Sequence, residues 1–202
     1  MEQTSVKEQI LKSIRESLLE KDEEILSDKI EIKPETKENP DEFPDLAFAE
    51  KFTQNGGIFH LCANGKELVE KVSTFFHDKK LNTVFCNNAD LGELLNVCGL
   101  SVFDNTLTTS VYDYMIMPVD FLISKNGGII LSSKTTNLEN LLEKTRHLVL
   151  IALSNQVENS NAEALRLLAK SNKNVYPAQT LILPNPSLQG QITITLFLRY
   201  VA

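Results

Sequence analysis

Short apolar runs followed at once by helix-opening residues constrain this chain more than any other feature. Ile58-Phe59-His60-Leu61-Cys62 leads directly to Asn64 with Glu67 three positions on, an N-cap signature opening a helix of Leu68, Val69, Val72, Phe75 and Phe76. Thr83-Val84-Phe85-Cys86 repeats the pattern, with Asp90 and Glu93 at cap spacing before Leu94, Leu95 and Val97. A third strand is expected near Leu100 to Phe103. His147 to Ala152 is almost continuously apolar and precedes Ser160-Asn161-Ala162-Glu163, a capping box for the helix of Ala164, Leu165 and Leu168. Apolar runs without alternation indicate strands buried on both faces, as in a largely parallel sheet flanked by helices. An α/β fold follows.

Two segments break the rhythm. Val119 to Ser124 and Ile129 to Ser133 flank Asn126-Gly127-Gly128, and Asn-Gly accepts the positive φ of a tight turn, so an antiparallel hairpin is predicted. The Ile-Thr-Ile-Thr alternation within Gln191 to Leu198 predicts a half-exposed strand at a sheet edge. Before the domain, Val6, Ile10, Ile14 and Leu18 recur every four residues. They define an amphipathic N-terminal helical arm (1–27). A linker rich in Glu, Lys and Pro (28–45) then leads to an α/β domain (46–202).

Composition narrows the function classes. A formal net charge of -7 disfavours nucleic acid as a partner, since such binding begins with a basic surface. No apolar run reaches the ~20 residues of a membrane span, and the N-terminus lacks the apolar core of a secretory signal, so a cytoplasmic location is expected. Cys62, Cys86 and Cys98 contain no Cys-x-x-Cys pair, and two lie inside apolar runs, which favours burial over metal ligation.

Ser132-Ser133-Lys134-Thr135-Thr136 follows the hairpin, and Glu139 completes a Thr-x-x-Glu box. Hydroxyls and an ammonium at a helix start could hold a small anion. Capping in a solvated turn is the competing role of the same residues. His147, beside Arg146 at the mouth of a strand, is the best placed of the three histidines for ligand contact, against the competing role of core packing. His60, His77 and His147 show no metal-ligand spacing, and no metal site is expected. Neither a nucleotide P-loop nor a Gly-x-Ser-x-Gly elbow is present, and spacing assembles no catalytic constellation.

From the hairpin onward the chain resembles the lactate-utilisation protein C, or LUD-domain, family. That family's segment runs from an Asp through an apolar strand to Ala-Glu-Thr-Gly-Thr, Leu-Val-Leu and Ser. The corresponding stretch here is Asp120 to Ser132, in which Asp120, Gly127 and Ser132 keep the pattern. His147-Leu148-Val149-Leu150-Ile151, Glu163-Ala164-Leu165 and the entrance from Phe52 to Val72 look similar as well. The resemblance spans essentially the whole chain through short motifs. It implies a fold like that of ribose-5-phosphate isomerase and the CoA-transferases, with strand-end loops that bind small anions. It also implies a part in L-lactate oxidation to pyruvate beside separate iron-sulfur subunits, with no cofactor in this chain.

The departures are equally specific. Lys125-Asn126-Gly127-Gly128 stands where the family carries Glu-Thr-Gly-Thr, so a carboxylate's general-base role is lost. Leu183-Pro184-Asn185-Pro186-Ser187 keeps only Pro-Ser of a longer polar loop. These changes point to a degenerate ligand site in an accessory or regulatory subunit. The rival from another class is an enzyme acting on a small phosphorylated or carboxylated substrate. The ligand-binding set for either is Lys125, Asn126, Gly127, Gly128, Ser132, Ser133, Lys134 and His147. A third reading is a bare protein-interaction module, a homodimer included, whose N-terminal helix swaps onto a neighbour.

Overall fold

The computed structural model describes residues 43–81, 83–103, 112–134, 138, 143, 145–184 and 192–201. The N-terminal arm and almost all of the linker lie outside them, as do Thr135, Thr136 and Glu139. The chain divides into a unit Met1–Glu38 and a unit Asn39–Ala202, and everything below concerns the second.

Helix α1 spans Pro44–Gln54, beginning inside the segment that composition reads as linker. Proline suits that start, because its ring presets φ and the first amide needs no partner. Phe48 and Phe52, four residues apart, stack at 5.3 Å and are fully buried, so the aromatic pair seats the helix. Gly56 (φ 87°) turns the chain into β1, Ile58–Cys62. Helix α2, Gly65–Asp78, opens as expected: Asn64 Oδ1 accepts from Glu67 N at 3.0 Å, and Glu67 Oε2 accepts from Ala63 N at 2.7 Å. Its buried stripe is Leu68, Val72 and Phe76. Strand β2, Thr83–Phe85, leads to α3, Ala89–Val97, and to β3, Ser101–Phe103. The cap of α3 is Asn88, whose Oδ1 accepts from Leu91 N at 2.9 Å; Asp90 instead occupies the first turn.

Strand β4, Tyr112–Pro118, has no counterpart in the sequence reading. The predicted hairpin follows as β5, Phe121–Ile123, and β6, Gly128–Ser132, paired antiparallel with Ile123 opposite Gly128. Next come β7, Thr145–Leu153; a 3-10 turn, Ser154–Gln156; and the short β8, Val157–Glu158. Helix α4, Asn161–Ser171, is capped by Ser160, which accepts from Glu163 N at 3.3 Å. Strands β9, Thr180–Leu183, and β10, Thr193–Arg199, complete the described elements.

Six strands form a wholly parallel sheet in the order β1-β10-β7-β4-β2-β3. The other four form a mixed sheet, β8-β5-β6-β9, so the hairpin belongs to a second layer and not to the parallel sheet. Ala164 and Leu168 of α4 close over Ile123 and Ile130 there. On the parallel sheet, α2 and α3 bury Leu68, Val72, Phe76, Leu91 and Leu95 against Ile116, Val149, Ile151 and Phe197. Phe59 points to the opposite face and meets Phe48 of α1 at 6.2 Å.

The C-terminal strand corrects the sequence expectation. Rather than lying half-exposed at an edge, β10 runs between β1 and β7 with Ile194 through Leu198 buried. The alternation misled because Thr195 is a buried polar residue, its Oγ1 lying 3.4 Å from His147 Nε2. A hydroxyl with an internal partner can occupy a core position at little cost. No helix among the described residues is long and apolar enough to cross a membrane.

Candidate functional site

Parallel strands direct all their carboxyl ends to one rim, and open sheets of this kind receive ligands where the connections leave in opposite directions. Here β1 crosses by α2 to β2 and on to β3 at one edge, whereas β4, β7 and β10 step back towards the other. The rim therefore collects Asn64 and Gly65 beyond β1, Asn88 beyond β2, Asp120 beyond β4, Ser154 and Gln156 beyond β7, and Arg199 and Tyr200 at the end of β10.

Hydrogen bonds fix these ends firmly. Gln156 spans two strands, its Oε1 accepting from Leu153 N at 2.6 Å and its Nε2 donating to Val119 O at 2.7 Å. Tyr200 N donates to Cys62 O at 2.8 Å, and Val201 N to Ser154 Oγ at 3.0 Å. Asp120 is a buried carboxylate, 7% exposed, whose amide donates to Ile130 O and so joins the two sheets.

Arg199 is a cation at this rim. Thr195, Phe197 and Arg199 alternate onto the face covered by α2, and the Arg199 guanidinium stands over the start of that helix, with Nη1 3.6 Å from where a Cβ on Gly65 would lie. It is half-buried and has no ion-pair partner among the described residues. The nearby Glu67 carboxylate is engaged by Lys71 Nζ at 3.3 Å and by Ala63 N. A guanidinium is a planar donor fork matched to carboxylate and phosphate. Its position at the end of a strand read as peripheral hid it, and the signal that could have found it is a lone charge terminating a buried apolar run.

The residues singled out from sequence fall in three places. Lys125, Asn126, Gly127 and Gly128 form the turn of the hairpin. Asn126 is committed to structure there: its Oδ1 accepts from Gly128 N and its carbonyl from Asn55 Nδ2, both at 2.9 Å. Gly127 has φ 69°, and a Cβ on it would lie 2.6 Å from Phe52 N, so the turn is pressed onto α1. Lys125 is exposed. Ser132, Ser133 and Lys134 lie at the far end of β6, about 13 Å along the strand from that turn at ~3.3 Å per residue. Ser133 Oγ accepts from Gln179 N at 3.1 Å, Ser132 Oγ from Lys134 N at 3.3 Å, and Lys134 Nζ donates to Ser171 Oγ at 3.0 Å. His147 is in the other sheet, three residues into β7 and half-buried, stacked on Tyr114 at 4.7 Å.

Ionisation is shifted chiefly by burial. The Cys62 thiol is pushed up to about 11 by desolvation, only partly offset by the Lys71 ammonium. Burial likewise raises Cys86 and Cys98, which are free thiols packed in the core. Glu158 is raised by desolvation and by Glu163. Among the described residues no group of three His, Cys, Asp or Glu side chains could hold a metal ion.

The fold has a known counterpart. A crystal structure of a DUF162 family protein from Deinococcus radiodurans superposes with a TM-score of 0.61, covering 78% of this chain and 96% of that one at 13% identity. At that identity the likeness concerns the fold. No family model matches the chain, and no curated protein matches it.

Proposed function

We propose that this chain is a LUD-like protein that binds a small organic acid or phosphate at the carboxyl-end rim of its parallel sheet. It serves a lactate-oxidising system as an accessory or regulatory subunit beside iron-sulfur partners. The observation that carries the ligand reading is Arg199, a half-buried guanidinium without an ion-pair partner among the described residues, placed at the carboxyl-end rim over the start of α2. The DUF162-type fold supports the LUD-like reading, and the motifs around Asp120 to Ser132 and His147 to Ile151 support the lactate connection. Replacement of an acidic turn by Lys125-Asn126-Gly127-Gly128, with Asn126 and Gly127 used to dock α1, favours binding over catalysis.

Calorimetric titration with L-lactate, pyruvate and inorganic phosphate tests the site. A charge-assisted hydrogen bond contributes about 1.5–3 kcal/mol, so Arg199→Gln should weaken the responsive ligand roughly 10- to 100-fold. Absence of binding by any of the three to the wild type, or unchanged affinity in R199Q, would remove the proposed site. Affinity purification from the native cell tests the assembly: recovery without an iron-sulfur or other redox protein counts against the accessory role.

A further inference from the structure

At the opposite end of the sheet from Arg199, the last turns of α2 rest on a layer of rings that includes two imidazoles. His60 of β1 stacks on Phe197 of β10 at 4.6 Å and 15°, and His147 of β7 stacks on Tyr114 of β4 at 4.7 Å and 13°. Phe75 of α2 meets both stacks with its edge, 5.7 Å from Phe197 and 6.2 Å from each of Tyr114 and His147. The Lys79 ammonium lies over that ring, 5.9 Å from its centroid.

We propose that His147 is a proton-operated latch, which seats the C-terminal half of α2 on the sheet while neutral and loosens it when protonated. The groups facing His147 decide the direction. Lys79 comes from the end of α2, Tyr114 from β4, and Thr195 from β10 offers a hydroxyl at 3.4 Å. Neither nearby carboxylate compensates a proton there. Asp113 is paired with Arg146 at 3.4 Å and Asp78 lies 3.8 Å from the His77 ring, each with exposed side chains. An imidazolium would gain some attraction from the Tyr114 face. Desolvation first, and the Lys79 charge second, outweigh it and hold His147 below its usual basicity. In the window from 6.5 down to the lowered folded value, the unfolded chain binds more protons than the folded one. Stability contributed by neutral His147 is thus complete above 6.5 and lost as pH falls through that window.

The test is ring-proton NMR titration of the full chain together with amide hydrogen exchange at pH 7.5 and 5.5. The His147 midpoint should lie below 6.5. Protection factors for 72–78 should fall several-fold at the lower pH, while those of β7 and β10 hold. His147→Phe keeps a stacking ring without a proton and should abolish the pH response of α2. A midpoint at or above 6.5, or a response surviving in H147F, would overturn the latch. Should H147F not fold, Lys79→Met serves instead: it should raise the His147 midpoint, and an unmoved midpoint would overturn the charge argument.

Discussion

Gly127 permits a controlled measurement of how hard the hairpin presses on α1. Its φ of 69° would strain any L side chain, and an added Cβ would meet Phe52 N at 2.6 Å, Lys51 C at 2.8 Å and Phe52 Cα at 2.9 Å. These are backbone atoms of a helix, so no rotamer change relieves the contact. Left-handed strain costs about 1–2 kcal/mol, and overpacking of this kind about 1–3 kcal/mol. The sum for Gly127→Ala is roughly 2–5 kcal/mol. Gly99 supplies the control, since its φ is 78° and nothing lies within 4 Å of its would-be Cβ. Gly99→Ala should therefore cost only the strain. At roughly 2–4 °C per kcal/mol for a chain of this size, G127A should melt several degrees below G99A, and urea midpoints should rank the same way. Equal losses in the two variants would show that the turn does not bear on α1, and the docking role of Asn126-Gly127 would fall with it.

Three other outcomes follow from the packing. Gly57→Ala places a Cβ 2.4 Å from the Phe52 ring, so it should be severely destabilising alone and much milder in a Phe52→Ala background, itself worth about 3–5 kcal/mol; additive losses would refute that contact. Thr195→Val keeps the shape of the side chain but removes the hydroxyl facing His147, and should lower stability by about 1 kcal/mol in chemical denaturation; a gain would show that the hydrogen bond contributes nothing. The three thiols are buried and raised, Cys62 to about 11, so an aromatic disulfide reagent at pH 8 should label them only after urea is added; fast labelling of the native chain would contradict their burial.

Local chemistry was the most legible part of the sequence. Asn64, Ser160 and the Asn126-Gly127 turn each announce their geometry through atoms within a few residues, and all three stand where expected. Strand β4 was not legible, because Tyr112-Asp113-Tyr114 interrupts the apolar signal before Met115-Ile116-Met117 is buried. Strand β10 was found but misplaced, since alternation records side-chain polarity and cannot tell a solvated threonine from one beside a buried imidazole. The rim has the same difficulty. Arg199, Gly65 and Gln156 are distant in sequence and converge only through strand order, which no local pattern encodes.

That strand order bears on how the protein is made. The segment seated between β1 and β7 is the last strand of the described chain, so during synthesis those two neighbours emerge with unpaired backbone edges facing each other. Until Thr193 to Arg199 leaves the ribosome, the nascent sheet lacks the strand that joins β1 to the rest. Closure then depends on contacts between opposite ends of the domain, the kind that folds slowly and exposes sticky edges while it waits.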